Sequence, residues 1–189
     1  KINRKNIMKN SKSLSVANVI LAILWRRHNG TVKSFRDHDY FRFFCAKKSK
    51  KTVFSSISRL KKQGFIETKG RYNILLTQAG IEKALHAFVD AETILYIQKK
   101  HRWDGGWRIV FFDIPESKRK FRDYLRKVIK KIGFKELQRS VWIYPGQVPT
   151  FLKHVLFEND LKKYVRFITT ESIDNDQDLK KMFNIKGYP

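Results

Sequence analysis

The residues best suited to chemistry lie on one face of a predicted helix, Lys50–Gln63. Val53, Ile57 and Leu60 form a narrow apolar stripe along it, so its other faces are expected to be exposed. Those faces carry amino, hydroxyl and guanidinium groups, on Lys50, Lys51, Thr52, Ser55, Ser58, Arg59 and Lys62. Such groups neutralise phosphates and bind base edges, arginine most often guanine. The pattern predicts nucleic-acid binding, whereas an ordinary amphipathic helix with a solvated basic face is the alternative.

A second basic group is predicted at the tip of a hairpin that follows this helix. The runs Phe65–Thr68 and Tyr72–Leu76 are rich in β-forming residues, which is typical of two short strands. The three residues between these runs include Lys69 and Arg71. We expect both side chains to neutralise phosphates.

The surrounding elements follow the order of a winged helix-turn-helix. Apolar residues at helical spacing predict one helix from about Val16 to Gly30 and a less regular one over about Phe35–Ala46. Thr77 is expected to cap a long helix that runs to about Gln98. In a winged helix the third helix enters the major groove, and the hairpin contacts phosphates or the minor groove.

The overall charge favours a polyanionic partner. The 189 residues contain 41 Lys and Arg against 17 Asp and Glu, a formal net charge of +24. The excess is concentrated in the first 103 residues, where 23 basic and 6 acidic residues give +17. A folded chain with this charge repels itself, and such an imbalance is typical of proteins that bind nucleic acids. We expect double-stranded DNA to be the partner.

Other classes of site have little support in the sequence. Cys45 is the single cysteine and the five histidines have no recurrent spacing, so we expect no metal and no cofactor. The longest apolar run, Val16–Trp25, is too short to cross a bilayer. We expect a cytoplasmic protein without a membrane partner.

The second half of the chain predicts a ferredoxin-like domain, because its elements follow the order βαββαβ. The predicted strands are 107–113, 134–138, 141–144 and 164–170, with helices over 118–132 and 150–157. We expect an α+β protein in which residues 1–85 form the winged helix, 86–103 a connector helix and linker, and 104–189 a dimerisation domain. Leu179, Met182 and Phe183 in the tail are expected to cover either a partner or their own sheet.

The second half also carries a long and specific string of residues. It comprises Trp103–Gly105, Trp107-Arg108, Phe112–Glu116, Arg119, Arg122, Leu125-Arg126, Gly133-Phe134, Leu137–Trp142 and Pro145. This string closely resembles the central domain of PaaX-type transcriptional repressors, and more weakly the small CRISPR-associated ferredoxin-fold proteins of spacer acquisition. The resemblance implies a homodimeric repressor whose paired winged helices read an operator with two-fold symmetry. We carry over no ligand site from it, and the small-molecule effector is left unassigned.

Asp113 is the one residue for which the resemblance implies different chemistry. In the CRISPR-associated proteins an aspartate at the end of the first strand is the proposed metal ligand, so a metal-dependent nuclease or adaptation-complex subunit is the alternative function. Metal-assisted cleavage needs several oxygen ligands, and no neighbouring residue completes such a set here. We expect Asp113 to be a helix cap or an ion-pair partner of Arg119 or Arg122, and the protein not to be an enzyme. An RNA-binding adaptor is a third hypothesis.

Overall fold

The computed structural model describes residues 14–28, 48–69, 73–99, 103–158 and 160–185. The chain forms two compact units, which meet in sequence between Gln98 and Lys99. Helices and antiparallel sheets occur in both units, so the expected α+β class is confirmed. The finer division into residues 1–85, 86–103 and 104–189 stays a prediction.

The core of the first unit is built around a helix that is apolar on all sides. This helix, α1, spans Val16–His28, and the Ser15 hydroxyl accepts a hydrogen bond from the Asn18 amide at 3.2 Å to cap its first turn. Residues 19–25 are at most 2% exposed. A helix buried all round belongs at the centre of a core. In this structure α1 packs mainly against the long helix α3, Gln78–Ile97.

Two elements between α1 and α3 form the surface of interest. Helix α2 spans Lys50–Lys62, and strands β1, Ile66–Lys69, and β2, Asn73–Leu76, pair as an antiparallel hairpin. The register places Ile66 opposite Leu76 and Lys69 opposite Asn73. The helix expected over residues 35–46 lies outside the described residues.

Close backbone packing holds the end of α2, the hairpin and the start of α3 together. Thr77 accepts a hydrogen bond from the Gly80 amide at 3.1 Å, as its predicted capping role requires, and its hydroxyl donates to the Gly64 carbonyl at 2.6 Å. A Cβ atom on Gly80 would lie 1.9 Å from the Phe65 carbonyl oxygen. Only glycine therefore permits this approach of α3 to the start of the hairpin.

The second unit has the ferredoxin-like arrangement expected from the sequence. Its elements are β3 Trp107–Phe112, α4 Arg119–Ile132, β4 Lys135–Gln138, β5 Val141–Tyr144, α5 Leu152–Glu158, β6 Val165–Thr170 and α6 Asp176–Met182, with 3₁₀ turns at Glu116–Lys118 and Lys162–Tyr164. The sheet is fully antiparallel in the order β4-β5-β3-β6. The first and last strands of the βαββαβ order are thus neighbours, as this fold requires.

The two faces of this sheet are covered differently. On one face Val110, Phe112 and Trp142 are buried, and α4 adds buried aliphatic residues. On the other face Trp107 and Ile143 cluster with Leu179 of α6. The tail therefore covers the sheet of its own chain. It leaves part of that face open, where Phe111 is 38% exposed and Ile168 is 47% exposed.

No helix in the described ranges is long and apolar enough to cross a membrane. The apolar run Val16–Trp25, predicted to be too short to cross a bilayer, lies in the buried helix α1.

Candidate nucleic-acid interface

The exposed side of α2 is the surface that the sequence singled out. The Ser49 hydroxyl accepts from the Thr52 amide at 3.2 Å and begins the helix, while Leu60 is 1% exposed and faces the core. All the predicted contact residues on this helix are exposed, namely Lys50, Lys51, Thr52, Ser55, Ser58, Arg59 and Lys62. We call this set the basic face of α2.

The hydroxyls of the basic face of α2 are not equally available to a ligand. The Ser55 hydroxyl donates to the Thr52 carbonyl at 3.0 Å, and the Thr52 hydroxyl lies 2.9 Å from the Ser49 hydroxyl. A hydroxyl that already donates its hydrogen is left with acceptor capacity only. In this rotamer Ser55 can accept from a base amino group but cannot donate to a phosphate.

The hairpin continues this surface. Lys69 ends β1 and is exposed, whereas Arg71 lies outside the described residues. The Lys61 amino group donates to the Thr68 hydroxyl at 2.9 Å, which joins α2 to β1. Sequence reasoning missed Lys61, although its charge and its place between Leu60 and Lys62 were the available signal.

Phe54 is the second residue that sequence reasoning missed. Its side chain is 68% exposed, more than any other large hydrophobic residue described. It follows Val53 directly, so helical spacing turns it away from the apolar stripe and toward the basic face of α2. A phenyl ring in that place can contact the methyl group of thymine.

The charge of this surface is nearly all of one sign. Seven basic residues lie between positions 48 and 69, and Glu67 is the single acidic residue there. None of the charged residues of α2 forms an ion pair with another described residue. The basic face of α2 is therefore available to a polyanion.

The structure places Asp113 differently from the expectation. Its amide donates to the Tyr164 carbonyl at 3.0 Å, and its side chain is exposed just after β3. The expected ion pair with Arg119 or Arg122 is wrong, because Glu116 takes both arginines, at 3.5 Å and 2.8 Å. These arginines, Arg122 first, hold the pKa of Glu116 below its usual value. No group of three or more His, Cys, Asp and Glu in the described ranges could hold a metal ion.

Residues 100–182 match the family described as the PaaX protein central Cas2-like domain. Most of the second unit is therefore similar to this domain family. The resemblance drawn from the sequence is thus confirmed, and the match covers less than half of the chain. It does not include the basic face of α2.

The chain also aligns with a solved structure, the uncharacterized protein Rv0674 from Mycobacterium tuberculosis, at 18% sequence identity and a TM-score of 0.37. The alignment covers 89% of this chain and 66% of that protein. No curated protein matches the chain.

Part of the residue string of the PaaX central domain forms a compact loop before β3. The Arg108 guanidinium binds both carboxylate oxygens of Asp104, one of them at 2.6 Å, and the Trp103 indole donates to the Gly106 carbonyl at 3.0 Å. The Arg108 hydrogen bond holds the pKa of Asp104 below its usual value. These contacts explain the residue types at the start of the string, Trp103–Arg108, by local structure.

Proposed function

We propose that this protein is a transcriptional regulator that binds double-stranded DNA, and that it acts as a homodimeric repressor without catalytic activity. The basic face of α2 carries this proposal, because it is exposed, contains no acidic residue and adjoins a basic hairpin. The similarity of the second unit to the PaaX central domain supports the regulatory role, since the family that the sequence resembles is one of transcriptional repressors.

In this proposal α2 enters the major groove. Arg59 forms two hydrogen bonds with the edge of a guanine, and Lys51 and Lys62 neutralise phosphates on either side. Lys69 and Arg71 of the hairpin contact the neighbouring backbone. The helix expected over residues 35–46 would be the second helix of the helix-turn-helix motif.

The homodimer is proposed to form through the PaaX central domain. Phe111 and Ile168 share the sheet face that α6 covers only in part, and both keep more than a third of their surface exposed. A second copy of the domain would bury this apolar remainder. A two-fold dimer would present two copies of α2 to an operator with paired half-sites.

Duplex binding over a salt series tests the proposal. We expect the logarithm of the affinity of a fluorescent duplex to fall linearly with the logarithm of the salt concentration, since cations that contact phosphates release counterions. Selection of bound sequences from a random duplex pool is expected to yield paired half-sites. Affinity that does not depend on salt, or a monomer indifferent to duplexes, would overturn the proposal.

Two alternative functions, a metal-dependent nuclease and an RNA-binding adaptor, can be tested with the same purified protein. Incubation of the protein with duplex and single-stranded DNA and with magnesium or manganese is expected to leave the nucleic acid intact. Cleavage that disappears in Asp113→Ala would instead favour the metal-dependent nuclease. Competition between a duplex and single-stranded RNA is expected to favour the duplex, and the reverse result would favour an RNA-binding adaptor.

A further inference from the structure

A shallow pocket of about 280 Å³ lies in the second unit beside the end of β3. Its charged and polar lining residues are Asp113, Glu116, Arg122, Arg126, Arg139 and Ser140. Three arginines and two acidic residues line this pocket, so the formal sum of the lining charges is positive. None of the functions considered above uses this group of arginines.

Two of the three arginines are held in place by the protein itself. Arg122 donates to the Ile114 carbonyl at 3.2 Å and to Glu116 at 2.8 Å. Arg126 donates to the Arg139 carbonyl at 3.0 Å, and its guanidinium carbon lies 5.6 Å from the centre of the Phe112 ring. Groups fixed in this way lose little freedom when a ligand binds, which lowers the entropic cost of binding.

Both fixed arginines keep donors for a ligand. A guanidinium has five N–H groups, and the contacts of Arg122 and Arg126 occupy only some of them. Their side chains are 20% and 26% exposed, so the groups are partly shielded but reachable from solvent. Partial shielding strengthens the attraction between a guanidinium and an anion.

The third arginine, Arg139, carries a positive charge that no ion pair with a described residue offsets. Glu116 offsets the charge of Arg122, and Asp123 lies 3.7 Å from Arg126. Arg139 is exposed and forms no ion pair with a described residue. Ser140, the next residue in the chain, also lines the pocket, and a serine hydroxyl can donate to an oxyanion. An anion in the pocket therefore depends most on Arg139, and the Asp113 carboxylate opposes it.

We propose that Arg122, Arg126 and Arg139 form a binding site for one phosphate group. The planar donors of guanidinium match the oxygens of phosphate, and arginine is the residue used where such groups must be held in one orientation. The phosphate belongs either to a small phosphorylated molecule or to the DNA backbone. The site itself does not depend on DNA binding by α2.

Titration with inorganic phosphate tests this site. The full chain is titrated at constant ionic strength in chloride buffer, and amide shifts around Asp113 and Ser140 are followed by NMR. We expect saturable shifts that are weakened about tenfold in Arg139→Gln. The matched control is Lys127→Gln, which removes one charge from an exposed position of α4 and is expected to change the affinity less than twofold.

Asp113→Asn provides a test of opposite sign. Removing the carboxylate is expected to strengthen phosphate binding several-fold, because it removes a repulsive charge from the pocket. A residue with a purely structural role would not improve binding when it is changed. Arg122 and Arg126 are not substituted in this test. They donate hydrogen bonds to the carbonyls of Ile114 and Arg139, so their loss would also disturb the local structure.

The outcomes distinguish the source of the phosphate. If Arg139→Gln weakens duplex binding as much as phosphate binding, the pocket takes a backbone phosphate; if duplex binding is unchanged, it takes a small phosphorylated molecule. Equal phosphate affinity of the wild type and Arg139→Gln, or no saturable shifts in the wild type, overturns the proposal. Failure of this site would leave duplex binding by α2 intact, so the two proposals fail separately.

Discussion

Two helices of this protein are strongly basic, but their charges have different surroundings. On α4, Arg119 and Arg122 pair with Glu116, and Arg126 lies near Asp123. On α2, no cation pairs with a described acidic residue. Arg122 and Arg126 also donate to backbone carbonyls, whereas the cations of the basic face of α2 are exposed.

This difference shows that counting positive charges does not identify a nucleic-acid surface. A guanidinium that already faces a carboxylate attracts a phosphate less, because the net local charge is smaller. The cations of α2 form no ion pair with a described residue, so α2 is the stronger candidate for DNA contact.

The largest expected effect comes from removing three lysine charges from α2. Removing three lysine charges from α4 is the comparison. Replacing Lys50, Lys51 and Lys62 together with glutamine is expected to weaken duplex binding about 100-fold or more and to reduce the salt slope by about three. The matched variant on α4 replaces Lys120, Lys127 and Lys130, which are also exposed. We expect it to change the affinity only a few-fold, as measured by fluorescence anisotropy. Equal losses in both variants would mean that both units contact DNA.

The second effect concerns the packing that positions the basic face of α2 beside the hairpin. Gly80→Ala would place a Cβ atom 1.9 Å from a backbone oxygen, so we expect a loss of about 3 kcal/mol in the free energy of unfolding. Gly64→Ala is the comparison: its φ is +73° and no atom lies within 4 Å of the added Cβ. That variant is expected to lose only about 1 kcal/mol. Denaturant unfolding followed by circular dichroism measures both, and equal losses would contradict the packing argument.

The third effect separates base recognition from phosphate contact within the same surface. Arg59→Ala is expected to lose about 1–3 kcal/mol on a selected site and much less on unrelated duplexes. Lys69→Ala is expected to weaken all sequences alike, since phosphates carry no sequence information. Competition titrations with selected and scrambled duplexes measure the difference. If both variants lose affinity uniformly, Arg59 contacts only the backbone.

Sequence patterns predicted the elements well because their signals are local. The β5 bounds Val141–Tyr144 agree with the prediction, and Thr77 caps α3 as expected. The apolar period of α2 placed Leu60 in the core and Arg59 on the surface. Strand alternation, capping residues and helical spacing each depend on only a few neighbouring positions.

Features that depend on tertiary contacts were not predictable in this way. Glu116, which belongs to a separate turn, takes the arginines that were assigned to Asp113. The pocket joins residues after β3, on α4 and in the turn between β4 and β5, so no spacing along the chain indicates it. The hydroxyl of Ser55 is turned to the helix backbone, a rotamer that sequence does not specify.

The smallest expected effect concerns Phe54. On a selected site that contains thymines, Phe54→Ala is expected to lose about 1 kcal/mol or less of binding free energy, because the substitution removes one buried apolar contact with a methyl group. Replacing those thymines with deoxyuridine removes the methyl groups without changing hydrogen bonding. If Phe54 contacts one of them, the two losses are not additive, and in a double-mutant cycle the Phe54→Ala protein no longer distinguishes thymine from deoxyuridine. Additive losses would place Phe54 outside the groove and restrict recognition by α2 to its polar residues.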